Sequence, residues 1–127
     1  MSETDMKELI HRYLRAYQGF DLEGMLALLS PDVRFENHSG GQLTHATDGV
    51  QAFRALAEQS MLQFAEREQR IVRLRFQQDA AVADVAYRAR LAVDLPGGPS
   101  AGAVLALRGR SEFSFKAGRI SRLVDRS

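Results

Sequence analysis

The stretch Phe35-Glu36-Asn37-His38-Ser39-Gly40-Gly41 sets a carboxylate, an amide and an imidazole side by side, ahead of two glycines. Val33 to Asn37 alternates apolar and polar residues, so these groups leave a strand and enter a loop. Glu36 is out of phase with Val33, Phe35 and Asn37 and is expected to face away from whatever they enclose. Asn37 shares their face. Its amide both donates and accepts, which suits orienting a carbonyl or hydroxyl but not abstracting a proton at neutral pH. His38 and His45 flank the loop, with Glu36 and Asp48 nearby. Their spacing matches no strong metal motif, so no metal is expected. An imidazole in this loop fits acid–base work at a pocket mouth, and His38 is the candidate. The chain has no cysteine, which excludes disulfides, thiolate metal sites and a cysteine nucleophile.

These groups need a frame. Met6, Leu9, Ile10, Tyr13, Leu14 and Tyr17 form one apolar stripe of a helix, with Ser2 or Thr4 as cap and Gly19 at its end. Asp21 caps a second helix, Leu22 to Leu29, stopped by Pro31. Residues 33–38 read as a strand and 39–47 as a loop. Asp48 with Gln51 forms a capping box for a third helix, which buries Val50, Phe53, Ala57, Ser60, Met61 and Phe64. From Glu68 the period becomes two. Val72, Leu74 and Phe76 share one face; Val85, Tyr87, Ala89, Leu91 and Val93 share the next; Leu105, Leu107, Gly109, Ser111, Phe113 and Phe115 share a third. Ala117-Gly118 turns the chain into a last strand, Arg119 to Asp125. Helices first and an antiparallel meander after them argue for an α+β domain with helices on one face of the sheet.

The 127 residues suffice for a single domain, 1–127, with one core, and the balance of 45% hydrophobic and 26% charged residues is that of a globular chain. No apolar run reaches the roughly 18 residues of a membrane span. The N-terminus MSETDMKEL is polar and acidic, without the apolar run of a secretory signal, so a cytoplasmic location is expected. Charge is divided unevenly: residues 1–66 carry five basic and ten acidic side chains, residues 67–127 twelve basic and six acidic. The arginines of the second half alternate onto the outer face of the meander. No exposed aromatics are interleaved with them, so nucleic acid is not an expected partner. Arg88, Arg90, Arg108 and Arg110 could instead meet Asp84, Asp94 and Glu112 of a second copy, giving a homodimer through the sheet.

Tyr17 to Glu36, YQGFDLEGMLALLSPDVRFE, resembles the helix end, turn and first strand of SnoaL-like and ketosteroid-isomerase-like proteins of the nuclear transport factor 2-like (NTF2-like) superfamily. The helix start at Gly49 to Phe53 and the Gly118-Arg119-Ile120 hairpin match as well. The resemblance covers nearly the whole chain. It implies an NTF2-like cone, with three N-terminal helices packed on a strongly curved antiparallel sheet. This fold hosts isomerases, cyclases, dehydratases, epoxide hydrolases and non-catalytic domains. In the steroid isomerases a helix-1 tyrosine and a protonated aspartic acid stabilise an enolate while a first-strand carboxylate shuttles the proton. Carried onto this chain, the tyrosine is Tyr13, the shuttle position is Asn37 and the acid position is Ser111. Two of the three roles are therefore changed, and standard steroid isomerase chemistry is not expected.

Related cyclases place an acid on a late strand, which draws attention to Asp125. A regular two-residue hairpin at Ala117-Gly118 pairs Phe115 with Ile120 and Arg110 with Asp125, and points Asp125 outward. A single β-bulge would turn Leu123 and Asp125 inward. The resulting expectation is a pocket lined by Tyr17, Asn37, Phe53, Tyr87, Ser111 and Phe113, holding a small oxygenated hydrophobic molecule. Tyr13, Asp125 and His38 are its catalytic candidates, for cofactor-free isomerase, cyclase or dehydratase chemistry. The alternative is a non-catalytic ligand-binding or dimerisation module.

Overall fold

The computed structural model describes residues 1–127. Helix α1 (Glu3–Gln18) starts from a reciprocal cap: the Asp5 N–H donates to Ser2 Oγ at 3.0 Å and the Ser2 N–H to Asp5 Oδ2 at 3.1 Å. Its stripe of Met6, Ile10, Tyr13 and Leu14 is buried. Asp21 accepts the Gly24 N–H at 3.0 Å and opens α2 (Leu22–Leu26). This helix ends three residues earlier than the sequence suggests. Strand β1 (Leu29–Ser39) already begins at Leu29, which pairs with Ile120. Pro31 falls in the irregular stretch between Leu29 and Arg34, where its missing N–H breaks no ladder bond.

The expected loop at 39–47 is mostly strand β2 (Gln42–Asp48). Gly40 and Gly41, at φ 60° and 79°, supply the two left-handed residues of a tight hairpin. The strand was illegible because its side chains are almost all polar and exposed, as suits an edge. Helix α3 (Val50–Met61) starts without the expected capping box. Gly49 at φ 89° is its cap residue, while Asp48 remains in β2 and accepts a 2.9 Å bond from Arg34. Phe53 and Ala57 are its buried contacts with the core.

Strands β3 (Phe64–Gln77), β4 (Ala80–Leu91), β5 (Val104–Lys116) and β6 (Arg119–Arg126) form the expected antiparallel meander. The sheet as a whole corrects the expectation of a strongly curved antiparallel cone. It has six strands in the order β2-β1-β6-β5-β4-β3, and β1 runs parallel to β6. It is therefore mixed, and it stays open, with β2 and β3 at opposite edges. Local alternation reveals hairpins, which are antiparallel by necessity. It carries no information on how the β1–β2 hairpin docks on β6, some ninety residues later in the chain.

Besides the irregular stretch of β1 and a bulge at Ala65 near the start of β3, three bulges set which side chains face the helices. Val72 is the extra residue of β3, since Ile71 pairs with Val85 and Arg73 with Asp84. Ser121 is the extra residue of β6, since Phe115 pairs with Ile120 and Ser114 with Arg122. Thr44 is the extra residue of β2, between the pairs Asn37 with His45 and His38 with Leu43. Each bulge reverses the in–out phase of what lies beyond it. Val72 itself is thereby exposed, while Ile71, Leu74 and Phe76 pack against the core. No helix is long and apolar enough to cross a membrane.

Candidate active site

A cavity of about 380 Å³ lies between the helices and the sheet. A polar row crosses its floor. Ser111 on β5 pairs with Asp125 on β6, Asp125 with Asn37 on β1, and Asn37 with His45 on β2. All four residues line the cavity. They are direct cross-strand neighbours, so their side chains stand about 5 Å apart at the Cβ atoms.

Asp125 faces inward because of the Ser121 bulge, the second of the two registers the sequence allows. The Ser111 hydroxyl donates to its Oδ1 at 2.7 Å, leaving Oδ2 open to a ligand. Burial pushes the carboxyl up to about 6, and the Ser111 hydrogen bond pulls against that shift. Asn37 is fixed by the neighbouring bulge. Its Nδ2 donates to Thr44 Oγ1 at 2.7 Å, and Thr44 Oγ1 donates to the Asn37 carbonyl at 3.1 Å. With Nδ2 engaged, Oδ1 is the free acceptor of the amide. His45 approaches Thr44 Oγ1 through Nδ1 at 3.2 Å and stands at the exposed end of the row.

The rest of the lining is rich in aromatics. Tyr13, Tyr17, Phe53 and Tyr87 line the cavity. Tyr13 is buried, and no protein group hydrogen-bonds its hydroxyl. Burial first, then the Asp125 charge, raises its phenol well above the ordinary value, so it remains a proton-bearing donor. The Tyr17 hydroxyl donates to that of Tyr87 at 3.4 Å. Burial raises both of these phenols as well.

Two expected site residues lie elsewhere. His38 is on the other face of β1, where its Nε2 meets Glu36 Oε1 at 2.8 Å. Strand alternation forces this, since Asn37 faces the cavity and its two neighbours cannot. Glu36 is held there by His38, Arg34 and Arg122, which together depress its carboxyl to about 2. Phe113 is core rather than lining: it stacks on Phe115 at 6.3 Å and meets the Tyr13 ring edge-on at 6.4 Å.

One lining residue was missed. Arg67 on β3 is only 5% exposed and borders the cavity. Its Nε donates to the Tyr17 carbonyl at 2.7 Å, and its guanidinium lies 3.7 Å from the centre of the Tyr17 ring. Extrapolating the Val72-Leu74-Phe76 face backwards puts even-numbered residues inside and Arg67 outside. The Val72 bulge inverts that phase. The position of Arg67 between the Tyr17 and Phe20 rings gives no periodic signal.

With this geometry established, comparison with known proteins assigns the family. The sequence pattern of the SnoaL-like domain matches residues 10–123, so the chain belongs to the SnoaL-like domain family. Among solved structures it is similar to a proposed polyketide cyclase of Xanthomonas campestris pv. campestris, with 20% identity over 98% of this chain and 90% of that one and a TM-score of 0.83. An NTF2-like protein of unknown function from Burkholderia pseudomallei matches at 22% identity over 98% and 90%, with a TM-score of 0.80. An LEH-like epoxide hydrolase of M. tuberculosis matches at 20% over 97% and 82%, with a TM-score of 0.76. At these identities the likeness is one of fold. No curated protein matches the sequence.

Proposed function

We propose that the cavity binds a small, largely apolar oxygenated molecule and that Asp125 transfers a proton to or from it. The observation that supports this reading is Asp125 itself, a carboxyl in the cavity wall, anchored by Ser111 and pushed up to about 6. A group with that affinity is mostly ionised at neutral pH, hence a resting base, yet its conjugate acid is readily formed. In the proposed step Oδ2 takes a proton from carbon next to a carbonyl, or from a hydroxyl. The electron pair moves onto the substrate oxygen, where the Tyr13 hydroxyl donates a hydrogen bond. Asn37 Oδ1 orients a substrate hydroxyl or a water. Asp125 then returns the proton at a second position, the common step of isomerisation, cyclisation and dehydration. No group from outside the chain is needed for that transfer.

The test is a ¹³C NMR titration of the Asp125 side-chain carboxyl, with Asp125→Asn to assign the signal. A midpoint near 6 is expected. A midpoint at or below the ordinary aspartate value of about 3.9 would remove Asp125 as a proton-transfer group.

We also propose a homodimer through the outer face of the sheet. Several charges expected to bridge two copies are already paired within the chain, Arg110 with Asp84 at 3.7 Å and Arg126 with Glu112 at 2.9 Å, which leaves Arg88 and Arg108 for such a contact. Sedimentation equilibrium showing a monomer throughout the micromolar range would refute it.

A further inference from the structure

Arg67 is the only charged residue of the chain that is fully buried. None of the chain's ion pairs includes it. Its partners are one backbone carbonyl and two aromatic faces, Tyr17 at 3.7 Å and Phe20 at 4.6 Å. Its Nη2 is buried and has no hydrogen-bond partner. Cation–π contacts compensate part of the lost hydration of a guanidinium, but a buried cation with no counter-anion and an orphaned N–H group is an incomplete site. The surroundings are built to hold it. Phe20 keeps its ring beside Arg67 although its backbone sits at φ 55°, a conformation unfavourable for a bulky residue. That turn is pinned by the Asp21 N–H on the Ala16 carbonyl at 2.8 Å.

We propose that Arg67 is the recognition group for a carboxylate of the ligand, which makes the ligand class small apolar monocarboxylates rather than neutral molecules. The inference rests on the small-molecule reading of the cavity above and deepens it. One guanidinium with one hydrogen bond already given to the chain suits a monoanion with two coplanar oxygens; a phosphate dianion would call for further buried cations, whereas the other arginines bordering the cavity, Arg108, Arg110 and Arg126, are exposed. Arg67 is on β3 and Asp125 on β6, with β4 and β5 between them. Tyr13 and Tyr17 feel the charges of both. A ligand anchored by its carboxylate at Arg67 therefore extends along the tyrosine wall toward Asp125, and its apolar body fills the space between.

The probes are 2-naphthoate and its neutral counterpart 2-naphthamide, titrated calorimetrically into the wild type, Arg67→Gln and His38→Ala. The wild type is expected to bind the acid roughly tenfold or more tighter than the amide, as a charge-assisted hydrogen bond implies. Arg67→Gln should lose that preference, and His38→Ala, on the other face of β1, should keep it. Equal affinity for acid and amide in the wild type overturns the carboxylate assignment and leaves the cavity reading standing, even if Arg67→Gln does not fold. Binding of neither probe, with the Asp125 midpoint still near 6, also overturns the inference while sparing the proton-transfer proposal. A wild-type preference that persists undiminished in a folded Arg67→Gln places the recognition at another cation and overturns the role of Arg67.

Discussion

Asp125→Asn separates what Asp125 does for chemistry from what it does to the fold. The side chain keeps its size, and the amide oxygen can still accept the 2.7 Å bond from Ser111. Only the ionisation is lost. In the folded protein burial moves the carboxyl from 3.8 to about 6. A tenfold change in proton affinity is worth about 1.4 kcal/mol, so ionising Asp125 in the fold costs about 3 kcal/mol relative to the unfolded chain. The sign follows from linkage. Because the folded value is the raised one, the favourable contribution of the protonated carboxyl is complete below 3.8 and is lost as the pH rises through 6. The variant never ionises and escapes this loss. The stability of Asp125→Asn relative to wild type should therefore improve by about 2 kcal/mol between about pH 4.5 and about pH 8, most of the full span. Urea denaturation at the two pH values measures it, with the slope checked for constancy. A stability difference that does not change with pH would show that Asp125 is not desolvated, and the acid–base reading would lose its base. Turnover of any substrate found should fall by two orders of magnitude or more in this variant, as for removal of a general base.

Ser111→Ala removes the one hydrogen bond that favours the ionised form, so the Asp125 midpoint should rise further above 6 in the same NMR titration; a fall would mean that burial is not the dominant cause. Tyr13→Phe deletes a hydroxyl with no protein partner, so the melting temperature should stay within a few degrees while kcat falls roughly a hundredfold, the scale of losing one oxyanion donor. His38→Ala should leave turnover unchanged and raise the Glu36 carboxyl from about 2 toward its ordinary range, because the imidazole is the largest cause of that depression. Gly109→Ala should destabilise by about 1–3 kcal/mol in urea denaturation, since a Cβ there would sit 2.6 Å from the Arg126 carbonyl at the end of β6.

Most of the framework was legible in the sequence, and the reason is local. The α1 stripe, the Asp21 cap and the alternating faces of β4 and β5 follow from side-chain period and turn chemistry within a dozen residues. The parts that were not legible depend on distant partners or on polar segments. The β2 edge carries no apolar face to read, its two glycines alone marking the hairpin. The parallel docking of β1 on β6 joins segments far apart in the chain. The exchange of His38 for His45 at the cavity follows from the same missed strand. Once β2 is paired, Asn37 and His45 are opposite each other and share a face, while His38 turns outward to Glu36.

The site adds a second, less accidental reason. Its inward-facing carboxylate and guanidinium each stand beyond a bulge: Asp125 past Ser121 on β6, and Arg67 on the far side of Val72 on β3. In a regular strand the phase that buries Ile120 would expose Asp125, and the phase that buries Leu74 and Phe76 would expose Arg67. Hydrophobic burial alone selects those regular phases, because exposing a carboxylate and a guanidinium to water is the favourable outcome for both. A bulge lets one strand hold an apolar face against the core at one end and turn a charged residue inward at the other. The extra residues thus uncouple the site from the pattern that folds the sheet, and the same uncoupling hides the site from a reading based on period two. Asn37 shows the converse. It keeps the regular phase of Val33 and Phe35 and needs no bulge in its own strand; alternation set its face, and the family resemblance its place in the pocket.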